Sequence, residues 1–420
     1  MKTKIAFYLK NKNTIDCSNI IDGNPGLGGS EYLIILIPTL LSQRYNDINI
    51  TLYTDYQGVL PHDLHVIKCS SFTEFADKCQ KNKEDYCVVN YTAAENDVIS
   101  DNTNVKFIIW CHNFVSWKNL NFYARQKNVV RIIAVGREQL DLYRDHPAYS
   151  KSDYIYNAIP THSLKEYTKK IVPFSKREQN VVYIGSLIEC KGFLYLAKAW
   201  KKVLRSIPNA KLYVIGKGNL YDENAKLGPY NLADNDFEEK FIPYLSDKKG
   251  ILPSVKFLGV LGNNKFAIIN QCKVGVPNPG GLTETFGLTA IEMQAMGCVV
   301  TTIKCPGYLD TVHNKDFLYK KTSQLADYII KALKTENAPK LNDLIDFIEE
   351  NFSYDIVLPQ WHRLFIDCIP NDVFLHSDEN GSLTNGDYHY KWLKEFLRKN
   401  KNRFLVHIIP PIEQLLYKQH

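Results

Sequence analysis

No hydrophobic run in this 420-residue chain is long enough to cross a bilayer. The longest near-continuous one, Tyr32 to Leu41, is ten residues and contains Pro38, against the roughly 20 that a spanning helix needs. The opening stretch MKTKIAFYLKNKN is basic but lacks an apolar core and a small-residue cleavage site, so no signal peptide is read and a cytoplasmic protein is expected. The ten cysteines, scattered from Cys17 to Cys368, form no Cys-x-x-Cys and no Cys/His cluster at zinc-finger spacing. They read as buried, reduced thiols that pack like small hydrophobes. Internal repeats and low-complexity segments are absent, which excludes solenoids and linker-like chains. An excess of one charge is nearly absent too: 51 basic against 45 acidic residues give +6, too little to imply nucleic acid. With 45% apolar and 23% charged residues, disordered, collagen-like and coiled-coil chains are ruled out.

What the chain does have is alternation. Short β-rich runs at 4–9, 48–54, 65–69, 86–90, 105–110, 131–135 and 153–156 are followed by a second series at 181–184, 211–215, 255–258, 273–276 and 298–303. Helical runs at 30–43, 192–206, 286–296, 322–334 and 341–351 are interspersed. Such alternation is the mark of βα units on parallel sheets. The helix at 30–43 is apolar nearly all round and is expected to be buried, with a kink at Pro38. The two series predict two facing Rossmann-like domains, and open α/β sheets bind ligands beyond the carboxyl ends of their strands, which implies an interdomain cleft. The expected division is a domain over 1–160, a second over 161–352, a returning helix over 353–369 and a basic extension over 370–420.

Three glycine-rich loops each join a strand to a helix. Pro25-Gly-Leu-Gly28-Gly29-Ser-Glu31 precedes the first long helix, and no Gly-Lys-Ser/Thr follows, so it is not a Walker loop. In Gly185-Ser186-Leu-Ile-Glu-Cys-Lys191-Gly192 a lysine lies at a helix start, where it opposes the helix dipole unless an anion sits between them. In Pro277-Asn-Pro-Gly-Gly-Leu-Thr-Glu284-Thr-Phe286-Gly287-Leu288-Thr-Ala-Ile-Glu292, one glutamate precedes the helix and another lies inside it. Eight helical positions would separate the two by about 12 Å, a fitting span for a ligand held at both ends. Glu292 sits between Ile291 and Met293, and a glutamate buried there needs a hydrogen-bonding partner.

The order Gly28-Gly29-Ser-Glu, Trp110-Cys-His112-Asn113, Gly-Ser-Leu-x3-Lys191-Gly, Glu284-x-Phe-Gly-x4-Glu292 resembles the retaining GT-B glycosyltransferases of family 4, over roughly residues 1–369. The resemblance implies that Gly28 and Gly29 approach the donor phosphates and that His112 faces the donor sugar. It implies that Lys191 holds the pyrophosphate and Glu284 the sugar hydroxyls, with the amides of Phe286, Gly287 and Leu288 on the phosphate and Glu292 on the ribose. His112, Lys191 and Glu284 are the expected catalytic set. One departure stands out: many members carry arginine where this chain has Ser186, so one phosphate cation is missing or comes from elsewhere.

The resemblance thus implies a retaining, metal-independent transfer of a hexose from a nucleotide sugar, a UDP-sugar above others, to a glycan or lipid-linked glycan in surface polysaccharide or lipopolysaccharide synthesis. No cofactor is expected. A nucleotide-sugar epimerase of the same architecture and a non-catalytic partner subunit are the rival readings. The extension lies outside the resemblance. Its segment 389–403 holds six Lys/Arg and one Glu, hence +5, and Trp392, Leu393, Phe396 and Leu397 can share one helical stripe. Such a helix suits the anionic inner face of a membrane or packs on the first domain.

Overall fold

Strand β1 (Thr3–Leu9) is buried at every position from Ile5 to Leu9, and β5 (Phe107–Cys111) is buried throughout. Unbroken apolar runs of this kind form strands covered on both faces, as parallel sheets require. A computed structural model describes residues 2–218, 226–281, 284–336 and 339–366 together with Phe396. The basic segment expected to form an amphipathic helix lies outside the described residues, apart from Phe396. Within them, no helix is long and apolar enough to cross a membrane.

The chain divides into two compact units: Met1–Thr14, Leu33–Asn157 and Val357–His420 form one, Ile15–Tyr32 and Ala158–Ile356 the other. The first unit holds β1, β2 (Ile48–Thr54), β3 (His65–Lys68), β4 (Tyr86–Asn90), β5, β6 (Val129–Ala134) and β7 (Ser152–Tyr154), in the order β3-β2-β1-β4-β5-β6-β7. All six neighbouring pairs are parallel. Helix α1 (Gly29–Arg44) buries Leu33 to Leu41 almost completely, with Pro38 inside it. Helix α2 (Phe72–Asn82) turns Phe72, Phe75, Ala76 and Cys79 inward, at the helical spacing of one face. Ser71 caps that helix by accepting the Glu74 N–H, and Lys83 ends it in the left-handed region.

The second unit repeats the design. Strands β8 (Asn180–Ile184) and β9 (Lys211–Ile215) precede a small antiparallel pair, β10 (Ser246–Asp247) with β11 (Gly250–Ile251). Then follow β12 (Val255–Gly259), β13 (Val274–Pro277) and β14 (Val299–Val300), giving the parallel order β12-β9-β8-β13-β14. β15 (Thr302–Ile303) pairs instead with β16 (Leu318–Tyr319). The single strand expected over 298–303 is therefore split. The Thr302 hydroxyl donates to the carbonyls of Pro277 and Asn278, at the end of β13, and there the chain leaves the main sheet.

Element bounds elsewhere shift by a residue or two from the sequence pattern. The polar stretch read as a connector after residue 160 holds a helix, Thr161–Thr168, and another helix, Asn235–Leu245, forms where none was expected. The glycine-rich segment Ile15–Tyr32, placed in the first domain by the sequence, groups with the second unit. Close backbone approach explains this. A Cβ on Gly26 would stand 3.0 Å from Val260 Cγ1, and one on Gly29 would stand 3.3 Å from Leu288 Cδ1.

Candidate active site

In the second unit the strand order reverses between β8 and β13, which lie side by side although far apart in sequence. Crevices at such a switch point, beyond the carboxyl ends of the strands, are where α/β sheets bind ligands. Ile184 pairs with Pro277 at the last rung, so the loop beginning at Gly185 and the loop beginning at Asn278 leave the sheet at one level. The first carries Lys191, the second Glu284.

The two side chains meet. Lys191 Nζ lies 3.6 Å from Glu284 Oε2, with the side chains 22% and 16% exposed. Asn278 Nδ2 donates to the same carboxylate oxygen at 3.2 Å, and Asn278 Oδ1 accepts the Gly281 N–H. The loops are fastened from below by Tyr183, whose hydroxyl lies 3.0 Å from the Lys191 carbonyl. Gly192 has φ 69°, and a Cβ there would fall 2.4 Å from Gly280 N. Only glycine allows these two loops to touch.

Helix α3 (Leu288–Ala295) begins two residues later than the sequence pattern suggests. Gly287 takes φ 91°, and the chain turns there before helical geometry starts. The Ala290 N–H is taken by the Gly287 carbonyl, which leaves the N–H groups around Leu288 as the open end of the helix. Gly29, the first residue of α1, abuts Leu288. Two helix starts therefore converge within the second unit, and both present partial positive charge to an anion.

Ser186 supplies no cation. It is 2% exposed, and its hydroxyl donates to the Lys217 carbonyl at 3.0 Å. An Asp-x-Asp does occur, Asp234-Asn235-Asp236. Asp234 there caps a helix by accepting the Phe237 N–H at 3.0 Å.

Glu292 has the partner its burial demanded: Lys265 Nζ lies 2.6 Å from its Oε1. The lysine, like Asn278, was missed in the sequence. Its only signal there was the need for a cation near an apolar-flanked glutamate, which names no position.

His112 belongs to the first unit and directly follows β5. Gln139 holds its loop by donating to the carbonyls of Cys111 and Asn113, at 2.9 and 3.0 Å. The imidazole packs 4.3 Å from the Trp110 ring, and burial pushes its pKa down from 6.5 to about 3. It is neutral at pH 7, able to hydrogen-bond without adding charge. The depressed value also ties stability to pH. Above pH 6.5 the ring is neutral folded or unfolded, and its contribution is fully present. Below that, the unfolded chain takes up a proton that the folded one refuses until pH nears 3. Stability should fall by about 1.4 kcal/mol per pH unit from this group across that window. Urea unfolding of wild type and His112→Gln between pH 7 and 5 measures it, and equal slopes for the two would remove the effect.

Residues 165–350 match the family described as glycosyl transferases group 1. An uncharacterized glycosyltransferase of Haemophilus influenzae is 22% identical over 272 residues, which are 62% of this chain and 69% of that protein. A glycosyltransferase from Rickettsia africae superposes with a TM-score of 0.62 at 14% identity, covering 88% of this chain and all of that one. The E. coli trehalose-6-phosphate structure bound with UDP-2-fluoro glucose gives a TM-score of 0.59 at 11% identity, over 88% of this chain and 100% of that one.

Proposed function

We propose that this chain, a glycosyltransferase of the GT-B fold with its family segment at 165–350, transfers a hexose from a nucleotide sugar to a glycan acceptor. The observation that carries the reading is the meeting of Lys191 and Glu284 within the same unit as the paired helix starts at Gly29 and Leu288. Breaking the sugar–phosphate bond leaves the electron pair, and its charge, on the nucleoside diphosphate. A lysine and two helix starts stabilise that charge where other enzymes employ a metal. In the free protein Glu284 holds Lys191; a bound pyrophosphate takes the ammonium, and the carboxylate then accepts hydroxyls of the sugar.

Retention follows if the acceptor oxygen bonds to the anomeric carbon on the face the phosphate leaves. The acceptor proton passes to the departing phosphate oxygen, so no protein base is required. His112, being neutral, is able to hydrogen-bond a sugar without adding charge. A UDP-sugar is the favoured donor, supported by the UDP-2-fluoro glucose bound to a protein of similar fold. The acceptor class is the growing glycan of a surface polysaccharide or lipopolysaccharide.

A thermal-shift screen across UDP-, GDP- and ADP-sugars identifies the donor, because a ligand of the folded state raises apparent stability. Transfer is then assayed in excess chelator, with the product anomer assigned from NMR coupling constants. Undiminished activity and a retained anomer are expected. Loss restored by manganese, or an inverted product, would overturn the proposal. Conversion of the donor with no acceptor and no release of nucleoside diphosphate would instead mark an epimerase.

A further inference from the structure

Glu292 lies between Ile291 and Met293, both fully buried, and its own side chain is 15% exposed. Its Oε1 is taken by Lys265, itself 10% exposed at the side chain. Among the described residues no hydrogen bond reaches Oε2, and Glu292 Oε1 is the one acceptor of the Lys265 ammonium. The Lys265 Nζ lies 5.3 Å from the Phe266 ring centroid, so apolar surface covers one side of it. Tyr32, in the first turn of α1, is close enough that the Glu292 charge adds to the burial holding its phenol protonated. The pair therefore lies near the helix starts of the candidate site.

An ion pair this buried is a poor stability device, since apolar residues of similar volume would serve as well. What it offers is unused capacity of two kinds. Glu292 Oε2 can only accept, and the remaining ammonium hydrogens can only donate. A vicinal diol matches both: one hydroxyl donates to Oε2 while its neighbour accepts from Nζ. With Oε1 turned to Lys265, the ammonium beside it offers the second hydroxyl a donor that the carboxylate cannot supply.

We propose that Lys265 is a specificity-determining residue, reading the 2′-hydroxyl of the nucleotide ribose while Glu292 reads the 3′-hydroxyl. This rests on the nucleotide-sugar reading of the site. It makes the lysine a ligand-binding group as well as a prop for the glutamate.

The test is calorimetric binding of UDP, ADP and GDP, each against its 2′-deoxy form, to wild type, Lys265→Met, Lys265→Arg and Glu292→Gln. Wild type should prefer the ribonucleotide by about tenfold or more, since a hydrogen bond to a charged group contributes on that order. Lys265→Met should weaken ribonucleotide binding about tenfold and change deoxynucleotide binding far less, so that the preference collapses. Lys265→Arg should restore part of it. Equal weakening of both forms in Lys265→Met would show a lysine that only props the fold, and would overturn the inference. If Glu292→Gln alone abolishes the preference, the lysine inference fails while the reading of the site stands. If no nucleoside diphosphate binds wild type, or neither variant affects binding, that reading fails as well. Should Lys265→Met not fold, the double variant Lys265→Met with Glu292→Gln removes both charges together. It is expected to show no ribose preference, and a retained preference would overturn the inference.

Discussion

Lys191→Ala is expected to lower donor affinity and kcat/KM by between about tenfold and a hundredfold, because a hydrogen bond to a charged group contributes about 1.5–3 kcal/mol. The lysine is 22% exposed and stands 3.6 Å from Glu284, so an incoming phosphate would meet a partly desolvated cation. The fold should survive. Asn278 remains hydrogen-bonded to Glu284, and the Tyr183 hydroxyl contacts the backbone carbonyl at 191, not the side chain. Circular dichroism should match wild type. A loss under tenfold in both affinity and rate would show that Lys191 does not hold the donor phosphate.

Arg177→Met is expected to cost about 2 kcal/mol or more of stability, since two of the carbonyls it serves are buried and a buried carbonyl left without its donor costs about 1–3 kcal/mol. The guanidinium is 5% exposed and donates to three carbonyls: Val172 at 2.9 Å, Cys272 at 2.8 Å and Met296 at 2.7 Å. Met296 directly follows α3, so this cation sits at the carboxyl end of the helix whose amino end is the proposed phosphate site. That is the favourable end of the helix dipole for a positive charge. Urea unfolding followed by circular dichroism measures the loss. Arg177→Lys should recover only part of it, because one ammonium cannot span three separated carbonyls. A loss below about 1 kcal/mol would mean that water replaces the donors and that the arginine does not hold the helix.

Much of the candidate site was legible because its parts are local. Strand, glycine-rich loop and helix start occur within a dozen residues at 181–193 and again at 274–292, and each element follows from short-range patterning. Lys191, Glu284 and Glu292 could be picked out as charged groups placed against that pattern. Asn278 and Lys265 could not. Each is recognised through a partner, Glu284 or Glu292, and in the case of Lys265 that partner lies far along the chain. Ser186 shows the opposite limit. Its departure from the family pattern was visible, but its buried bond to the Lys217 carbonyl was not.

By itself the sequence determined the class of elements, their order and the charged residues from which the candidate site is proposed. Hydrophobic periodicity, glycine and helix starts act over a few residues and need no distant partner. Tertiary structure alone decided that β8 and β13 are neighbours, so that the Lys191 and Glu284 loops leave the sheet together. It also decided that Ile15–Tyr32 groups with the second unit, bringing Gly29 to Leu288. The physical reason is the same in both cases. Parallel strands pair through backbone hydrogen bonds, and glycines permit contact through the lack of a side chain. Neither interaction encodes in local sequence which distant segment it will meet.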